Sequence, residues 1–378
     1  MSETRSLRCA VVLQTPTDPQ SAVYMSYQSV AAELERLGPS MEIVSPADFP
    51  ALRNVSGRWV PLTYPFAIAS WMRRRHRDFD LVMFQSYAGW LATTLNRRER
   101  PHSFVMFHGV EPLYHRELRE EAKAGGQPLS WRYRLLQEGL MPFMLGIACR
   151  RADGIGCLNR AEAQFLAAKR WTPSRGARVL AHGVPPECFA PLRTDHAVRT
   201  LLFLGQWLPM KGIRYLREAA ITLLREDPVM RLTCAGTLAP AVTVLAGFPR
   251  DIHDRITVLP RVGQAGLAPL YRDADAFVFP SLYEGFSLAI LEAMAARLPI
   301  VTTGVGVAAD VLRHEQSALL VPKRSAAAIV SAVRRLQSDP DLAARLGAAA
   351  ADAAEPYRLE IVVRQTVDII MEEAGAIS

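Results

Sequence analysis

Two carboxylates, Glu284 and Glu292, lie one turn either side of a helix start in PSLYEGFSLAILEAMAARLP (280–299), and Lys211 ends the earlier segment GQWLPMK (205–211). A carboxylate can accept two O–H donors and so suits a sugar or ribose diol, whereas an ammonium suits a diphosphate. Lys211 stands where a strand, TLLFLG, turns into a helix near Gly212, a place where backbone N–H groups and the helix dipole already favour an anion. Ser287 is a suitable N-cap for the second helix, which would leave the N–H groups of Phe286, Ser287 and Leu288 directed at phosphate or sugar oxygens. Glu292 then lies roughly 6 Å along that helix, so Glu284 and Glu292 can divide one extended ligand between them. In the first half, FVMFHGVEP (104–112) places His108 and Gly109 just past a strand end, where a histidine can meet a substrate and a glycine allows close backbone approach.

These residues need strands and helices to position them, and the chain supplies the pattern twice. Short β-branched or apolar runs at 7–13, 41–45, 80–84, 103–107 and 153–157 alternate with helical stretches near 22–37, 65–77, 129–150 and 160–170. A second set of runs follows at 200–205, 230–236, 255–259, 276–280, 299–303 and 318–321. Such alternation predicts parallel sheets covered by helices, an α/β architecture that binds ligands at the carboxyl ends of its strands. Pro185, Pro186 and Pro191 interrupt any helix in HGVPPECFAPLRTDHAV (182–198), which sets a boundary there. The expected domains are 1–190 and 191–356, with a C-terminal helix at 357–378 that crosses back to the first domain.

A chain of 378 residues exceeds what one hydrophobic core usually supports. Half of it is apolar and about a fifth is charged, without low-complexity tracts or repeats, which excludes a disordered chain or a solenoid. The start, MSETRSLRCAVVLQTP, lacks the basic and apolar regions of a signal peptide, and no apolar run reaches membrane-spanning length, so the expected location is the cytoplasm. Five cysteines without a C-x-x-C pair point to packed, reduced thiols. The net charge of +7 comes entirely from residues 1–190, which hold 24 Lys/Arg against 17 Asp/Glu. Basic segments 71–79, 96–100 and 131–134 interleave with aromatics, and Trp59, Phe66 and Trp71 near the arginines could anchor this half on an anionic membrane surface, on its inner face. Nucleic acid is not expected, because no binding motif accompanies the charge. The two D-x-D triplets, Asp78 to Asp80 and Asp273 to Asp275, each directly precede a strand and read as structural rather than metal-binding.

Taken together, G-x5-K-G after one strand and P-S-x-x-E-G-F-S-L-x-x-L-E-A-M-A later resemble the retaining GT-B glycosyltransferases of family 4, over Thr200 to Pro322. The resemblance implies two Rossmann-like domains facing across a cleft, 1–190 on the acceptor side and 191–356 on the nucleotide-sugar side, and transfer of sugar from a nucleotide-diphosphate sugar to a hydroxyl acceptor such as a glycan or lipid-linked glycan. It implies neither metal nor other cofactor. Lys211 would contact the diphosphate beside Gly205 and Gln206, Glu284 and Gly285 the sugar, Glu292 the ribose, and Arg261, Val262 and Gly263 the base. His108 would reach the sugar from the acceptor side, making His108, Glu284 and Lys211 the catalytic set. Relatives of this kind often build glycolipids, lipopolysaccharide or exopolysaccharide. Two departures matter. Gln206 stands where the family usually has an arginine on the diphosphate, and the loop 14–24 lacks the family's glycines, leaving Thr15, Thr17 and Ser21 as candidate acceptor contacts. A non-catalytic nucleotide-sugar-binding homologue and a GT-B epimerase therefore stay open as alternatives.

Overall fold

The computed structural model describes residues 6–17, 22–56, 59–125, 128–189 and 197–375. Ser21, a candidate acceptor contact, lies outside the described residues. The chain divides into two compact units: Met1–His115, Leu129–His182 and Glu360–Ser378 in unit 1, and Arg116–Pro128 with Gly183–Leu359 in unit 2.

Unit 1 is built on a six-stranded, all-parallel sheet. Its strands are β1 (Arg8–Val12), β2 (Ser40–Val44), β3 (Leu81–Gln85), β4 (His102–Met106), β5 (Gly154–Cys157) and β6 (Arg178–Val179), in the order β2-β1-β3-β4-β5-β6. Strands β1 and β3 are continuous buried runs, as expected of a sheet covered on both faces. The short edge strand β6 has no apolar run of its own and was not expected from sequence. Unit 2 repeats the design with β7 (Thr200–Leu204), β8 (Arg231–Ala235), β9 (Ile256–Leu259), β10 (Ala276–Phe279), β11 (Ile300–Thr302) and β12 (Leu319–Leu320), ordered β12-β11-β10-β7-β8-β9 and again parallel. Stacked rings of Phe203, Phe279 and Phe277, with centroids 5.9 and 5.6 Å apart, tie β7 to β10 in its core.

This order fixes where a ligand can sit. In unit 2 the chain runs outward from β7 through β8 to β9 and then crosses to β10 on the other side of β7. The loops after β7 and β10 therefore diverge at a topological switch point, the crevice that open parallel sheets use for ligands. Lys211 follows β7, and Glu284 follows β10.

Several expectations are corrected. Trp71 is not a surface anchor: it is 8% exposed in the core of unit 1, packed on Phe49 and Phe79 with Arg75 over its ring, because the apolar face of helix Val60–Arg75 turns inward there. Trp59 and Phe66 do remain exposed. The stretch expected as one helix at 129–150 contains a widened π-helical segment, Arg134–Leu140, between Trp131–Tyr133 and Met141–Arg151. Helix Glu111–Lys123 was not expected from sequence: seven of its thirteen residues are charged, which leaves few apolar positions from which to read a helical period.

Candidate functional site

The unit 2 site is assembled by two loops that lock together. After Gly205 the chain makes a short 3-10 turn, Pro209–Lys211, and Gly212 enters helix Ile213–Glu226 in the left-handed region at φ 71°. A Cβ at Gly212 would stand 1.9 Å from the Pro280 carbonyl oxygen, so only glycine lets this turn meet the loop after β10. The Leu282 N–H donates to the Met210 carbonyl at 2.8 Å and completes the lock.

That closure puts Lys211 Nζ 2.7 and 2.9 Å from the two carboxylate oxygens of Glu284. Ser281 Oγ donates to Glu284 Oε1 at 2.6 Å, and Nζ lies 5.3 Å from the Phe279 ring centroid. The lysine side chain is 25% exposed and the glutamate 8%, so one end of the pair opens to solvent while the other is fixed inside. Glu284 is further confined by Gly306, at φ 55°, where a Cβ would come within 2.8 Å of the Glu284 Cβ. The ammonium is thus held at the carboxyl edge of the sheet with a counter-charge that a diphosphate can displace or share.

Helix Leu288–Ala295 begins where sequence placed it, but Ser287 does not cap it. Its φ of 81° and ψ of 84° rotate the side chain away from the first-turn N–H groups, and its Oγ is buried without a hydrogen-bond partner. No side chain caps the N-terminal N–H groups of that helix, which follow Gly285 and Phe286 on the same loop. One turn on, Glu292 is buried and accepts from Tyr271 Oη at 2.8 Å on Oε2. Burial pushes the Glu292 carboxyl above its usual range, opposed by the tyrosine hydrogen bond. It also lifts the neighbouring Cys188 thiol to about 12, through burial first and the Glu292 charge second. Tyr271 sits on helix Gln264–Arg272, which Gly263 opens, so Arg261, Val262 and Gly263 form the turn leading to the residue that orients Glu292. Gln206 is exposed in the loop after β7, and its carbonyl accepts from the Leu208 N–H at 2.8 Å.

In unit 1, His108 follows β4, with Gly109 at φ 141°. His108 Nε2 lies 3.0 Å from Tyr27 Oη, and its Nδ1 lies 3.3 Å from His182 Nε2. Burial and the His182 charge drive the His108 pKa well below 6.5, and burial takes His182 to about 4. Three residues on, Glu111 accepts from the Ser86 hydroxyl, and burial raises its carboxyl to about 7. Ser86 has φ 52°, an uncommon conformation for a residue with a side chain. Sequence reasoning missed Tyr27, Ser86, Glu111, His182 and Tyr271; only Glu111, directly after HGV, left a trace in a motif already noted. Thr15 and Thr17 are exposed on the loop after β1.

Both D-x-D triplets serve the strands. Asp275 Oδ2 accepts from the N–H groups of Arg199 and Thr200 at the start of β7, Asp80 Oδ2 from the N–H of Arg8 at the start of β1, and Asp78 pairs with Arg75. All five cysteines are free and buried.

Two six-stranded parallel sheets covered by helices are the GT-B architecture, and solved structures similar to this chain share it. Sucrose-phosphate synthase from Thermosynechococcus elongatus superposes with a TM-score of 0.78 at 19% identity, covering 98% of this chain and 100% of that one. WaaG, a glycosyltransferase involved in lipopolysaccharide biosynthesis, gives 0.72 at 15% over 96% and 99%. HepE of Anabaena, solved in complex with UDP-glucose, gives 0.69 at 13% over 97% and 100%. The chain belongs to the group 1 glycosyl transferases, of family 4 type, whose family model matches residues 198–339. Among its relatives, the D-inositol 3-phosphate glycosyltransferase of Streptomyces bingchenggensis is 31% identical over 333 residues, 81% of this chain and 69% of that protein. That of Frankia alni is 35% identical over 198 residues, 47% of this chain and 49% of that protein. The protein is accordingly a glycosyltransferase.

Proposed function

We propose that the protein transfers a sugar from a nucleotide-diphosphate sugar to a hydroxyl acceptor, with retention at the anomeric carbon and without a metal ion. The observation that carries this reading is the Lys211–Glu284 pair, held at the switch point in the loop before helix Leu288–Ala295, which carries Glu292. Lys211 and the helix N-terminus receive the diphosphate, Glu284 exchanges its lysine for sugar hydroxyls, and Glu292, oriented by Tyr271, accepts from the ribose. The anomeric C–O bond to the diphosphate breaks and the nucleoside diphosphate leaves with the bonding pair. The acceptor oxygen bonds to the same carbon and gives up its proton to the departing diphosphate. Lys211 and backbone amides provide the charge stabilisation that a metal supplies in other transferases. His108 acts on the sugar, and Thr15 and Thr17 contact the acceptor.

Synthesis of a glycolipid, lipopolysaccharide or exopolysaccharide is the setting proposed for this reaction. Among the described residues no helix is long and apolar enough to cross a membrane. An attachment to an anionic membrane surface is supported by Trp131, Leu135 and Phe143, exposed along one helical stretch of unit 1 together with Arg132 and Arg134. Gln206 in place of an arginine favours the second reading, a nucleotide-sugar binder without turnover. A panel of UDP-, GDP-, ADP- and dTDP-sugars, offered with hydroxyl acceptors in the presence and absence of chelator, tests the proposal. Turnover that survives the chelator and yields a product of unchanged anomeric configuration supports it. Binding without turnover favours the second reading, and strict metal dependence contradicts the proposed site.

A further inference from the structure

His108 is the middle of a hydrogen-bonded chain whose other members nothing in the donor chemistry requires. Tyr27 Oη is 3.0 Å from His108 Nε2, His108 Nδ1 is 3.3 Å from His182 Nε2, and His182 Nδ1 is 3.2 Å from Ser26 Oγ. The two imidazoles stack, with centroids 5.3 Å apart and planes 17° from parallel, while Tyr27 meets His108 edge-on at 5.6 Å. His182 ends unit 1 and lies far in sequence from His108, which follows β4; Ser26 and Tyr27 come from helix Ala22–Leu37.

The contacts determine where the protons are. A hydrogen bond between two imidazole nitrogens needs one proton, so the tautomer of either ring dictates that of the other. Tyr27 is 5% exposed, and His108 Nε2 is the acceptor within reach of its hydroxyl. A buried O–H left without an acceptor is costly, so Tyr27 donates to Nε2. His108 must then carry its proton on Nδ1 and donate to His182 Nε2, and His182 Nδ1–H donates to Ser26, whose partly exposed hydroxyl can pass its own hydrogen to water.

We propose that His182 is the positioning residue of His108: it accepts the Nδ1 proton, fixes the ring in that tautomer and leaves Nε2 as an acceptor for a substrate hydroxyl that takes the place of Tyr27. Burial keeps both rings neutral near pH 7, the condition in which one tautomer can be held. The effect on turnover rests on the glycosyl-transfer reading above, whereas the tautomer does not.

Long-range proton–nitrogen NMR of the full chain labelled with 15N-histidine, at pH 7, reads the tautomers directly, with His108→Gln used to assign the signal. His108 is expected to be protonated on Nδ1 in the unsubstituted protein and also in Tyr27→Phe, where His182 alone holds the tautomer, and to lose that form in Tyr27→Phe/His182→Phe, which keeps both rings and removes the acceptor. Tyr27→Phe/His182→Asn, with its carbonyl oxygen, restores the Nδ1 form. An Nε2-protonated His108 in the unsubstituted protein overturns the assignment, and that spectrum decides alone if the double variant does not fold. An Nδ1 form that persists in folded Tyr27→Phe/His182→Phe overturns it equally. In turnover assays His182→Phe should lower kcat about tenfold, one neutral hydrogen bond's worth, with KM little changed; an unchanged kcat removes the positioning role. Absence of any turnover in the unsubstituted protein, by contrast, counts against glycosyl transfer and leaves the tautomer result standing.

Discussion

Replacing Lys211 by methionine should separate what the Lys211–Glu284 pair does for the fold from what it does for the ligand. The change keeps the length of the side chain and leaves Glu284, 8% exposed, without its cation. Breaking a fully buried ion pair from one side costs about 3–5 kcal/mol. Here the ammonium is 25% exposed and Ser281 still donates to Oε1 at 2.6 Å, so the expected cost is about 2 kcal/mol. For a unit of this size that is a fall in Tm of roughly 4–8 °C. Glu284→Gln should cost less, because the lysine can turn to solvent. The double variant Lys211→Met/Glu284→Gln, with no buried charge left, should recover about 1–2 kcal/mol relative to the sum of the single changes. Differential scanning calorimetry of the four proteins supplies the cycle, and titration calorimetry with the nucleoside diphosphate supplies the binding half. Binding should weaken by about ten- to a hundredfold in Lys211→Met, the loss of one charge-assisted hydrogen bond. Strict additivity of the two stability changes would refute the coupling. Unaltered nucleotide affinity in Lys211→Met would refute the diphosphate assignment.

Other consequences are equally direct. Glu292 has a raised pKa, so its protonated form is favoured in the folded state and its contribution is lost as pH rises above about 4.5 through the folded value; Glu292→Gln should therefore raise Tm at pH 7 while weakening nucleotide binding about tenfold, and a loss of both would contradict the ribose role. Glu111 follows the same sign with a folded value of about 7, so the Tm advantage of Glu111→Gln over the parent should be absent near pH 4 and grow between pH 5 and 8, reaching on the order of 2 kcal/mol; a flat difference would show that Ser86 already holds the carboxylate form. Gly212→Ala meets both a left-handed backbone and the Pro280 carbonyl and should destabilise unit 2 by about 3 kcal/mol or more, measured by urea unfolding, with a neutral outcome counting against the loop lock. Sedimentation with anionic vesicles should carry the protein down at low salt and lose it in Trp131→Ser/Phe143→Ser; equal binding by both proteins would remove the proposed membrane face.

Much of the donor half is legible in the sequence because it is local. Strands β7, β8 and β10 are apolar runs with glycine or proline at their ends; Lys211 and Glu284 lie in the loops that follow β7 and β10, and Glu292 in the helix after the second loop, so chain spacing sets their place near a sheet edge. What stayed hidden depends on partners distant in sequence. Tyr271 reaches Glu292 from another helix, His182 reaches His108 across 74 positions, and Ser86 meets Glu111 from the loop of a neighbouring strand. Trp71 was misjudged for a related reason: arginines at 73–75 suggest an exposed face, but Arg75 bends back over the Trp71 ring to pair with Glu42 and Asp78 while the indole fills the core. Ser287 was misjudged because residue type favours a cap, whereas its left-handed backbone, at the end of the loop that carries Glu284 and Gly285, leaves the side chain unable to cap. The backbone demands of the site override the local preference there.

The measurement that tests the central claim most directly is nucleotide-sugar turnover in Lys211→Ala and Glu284→Ala, each confirmed folded by its unfolding transition. With the donor that the unsubstituted protein uses, both variants should lose turnover by about a hundredfold or more, since each removes a contact strengthened by charge at the departing diphosphate or the sugar. Full activity in both would contradict the assignment of the switch-point site.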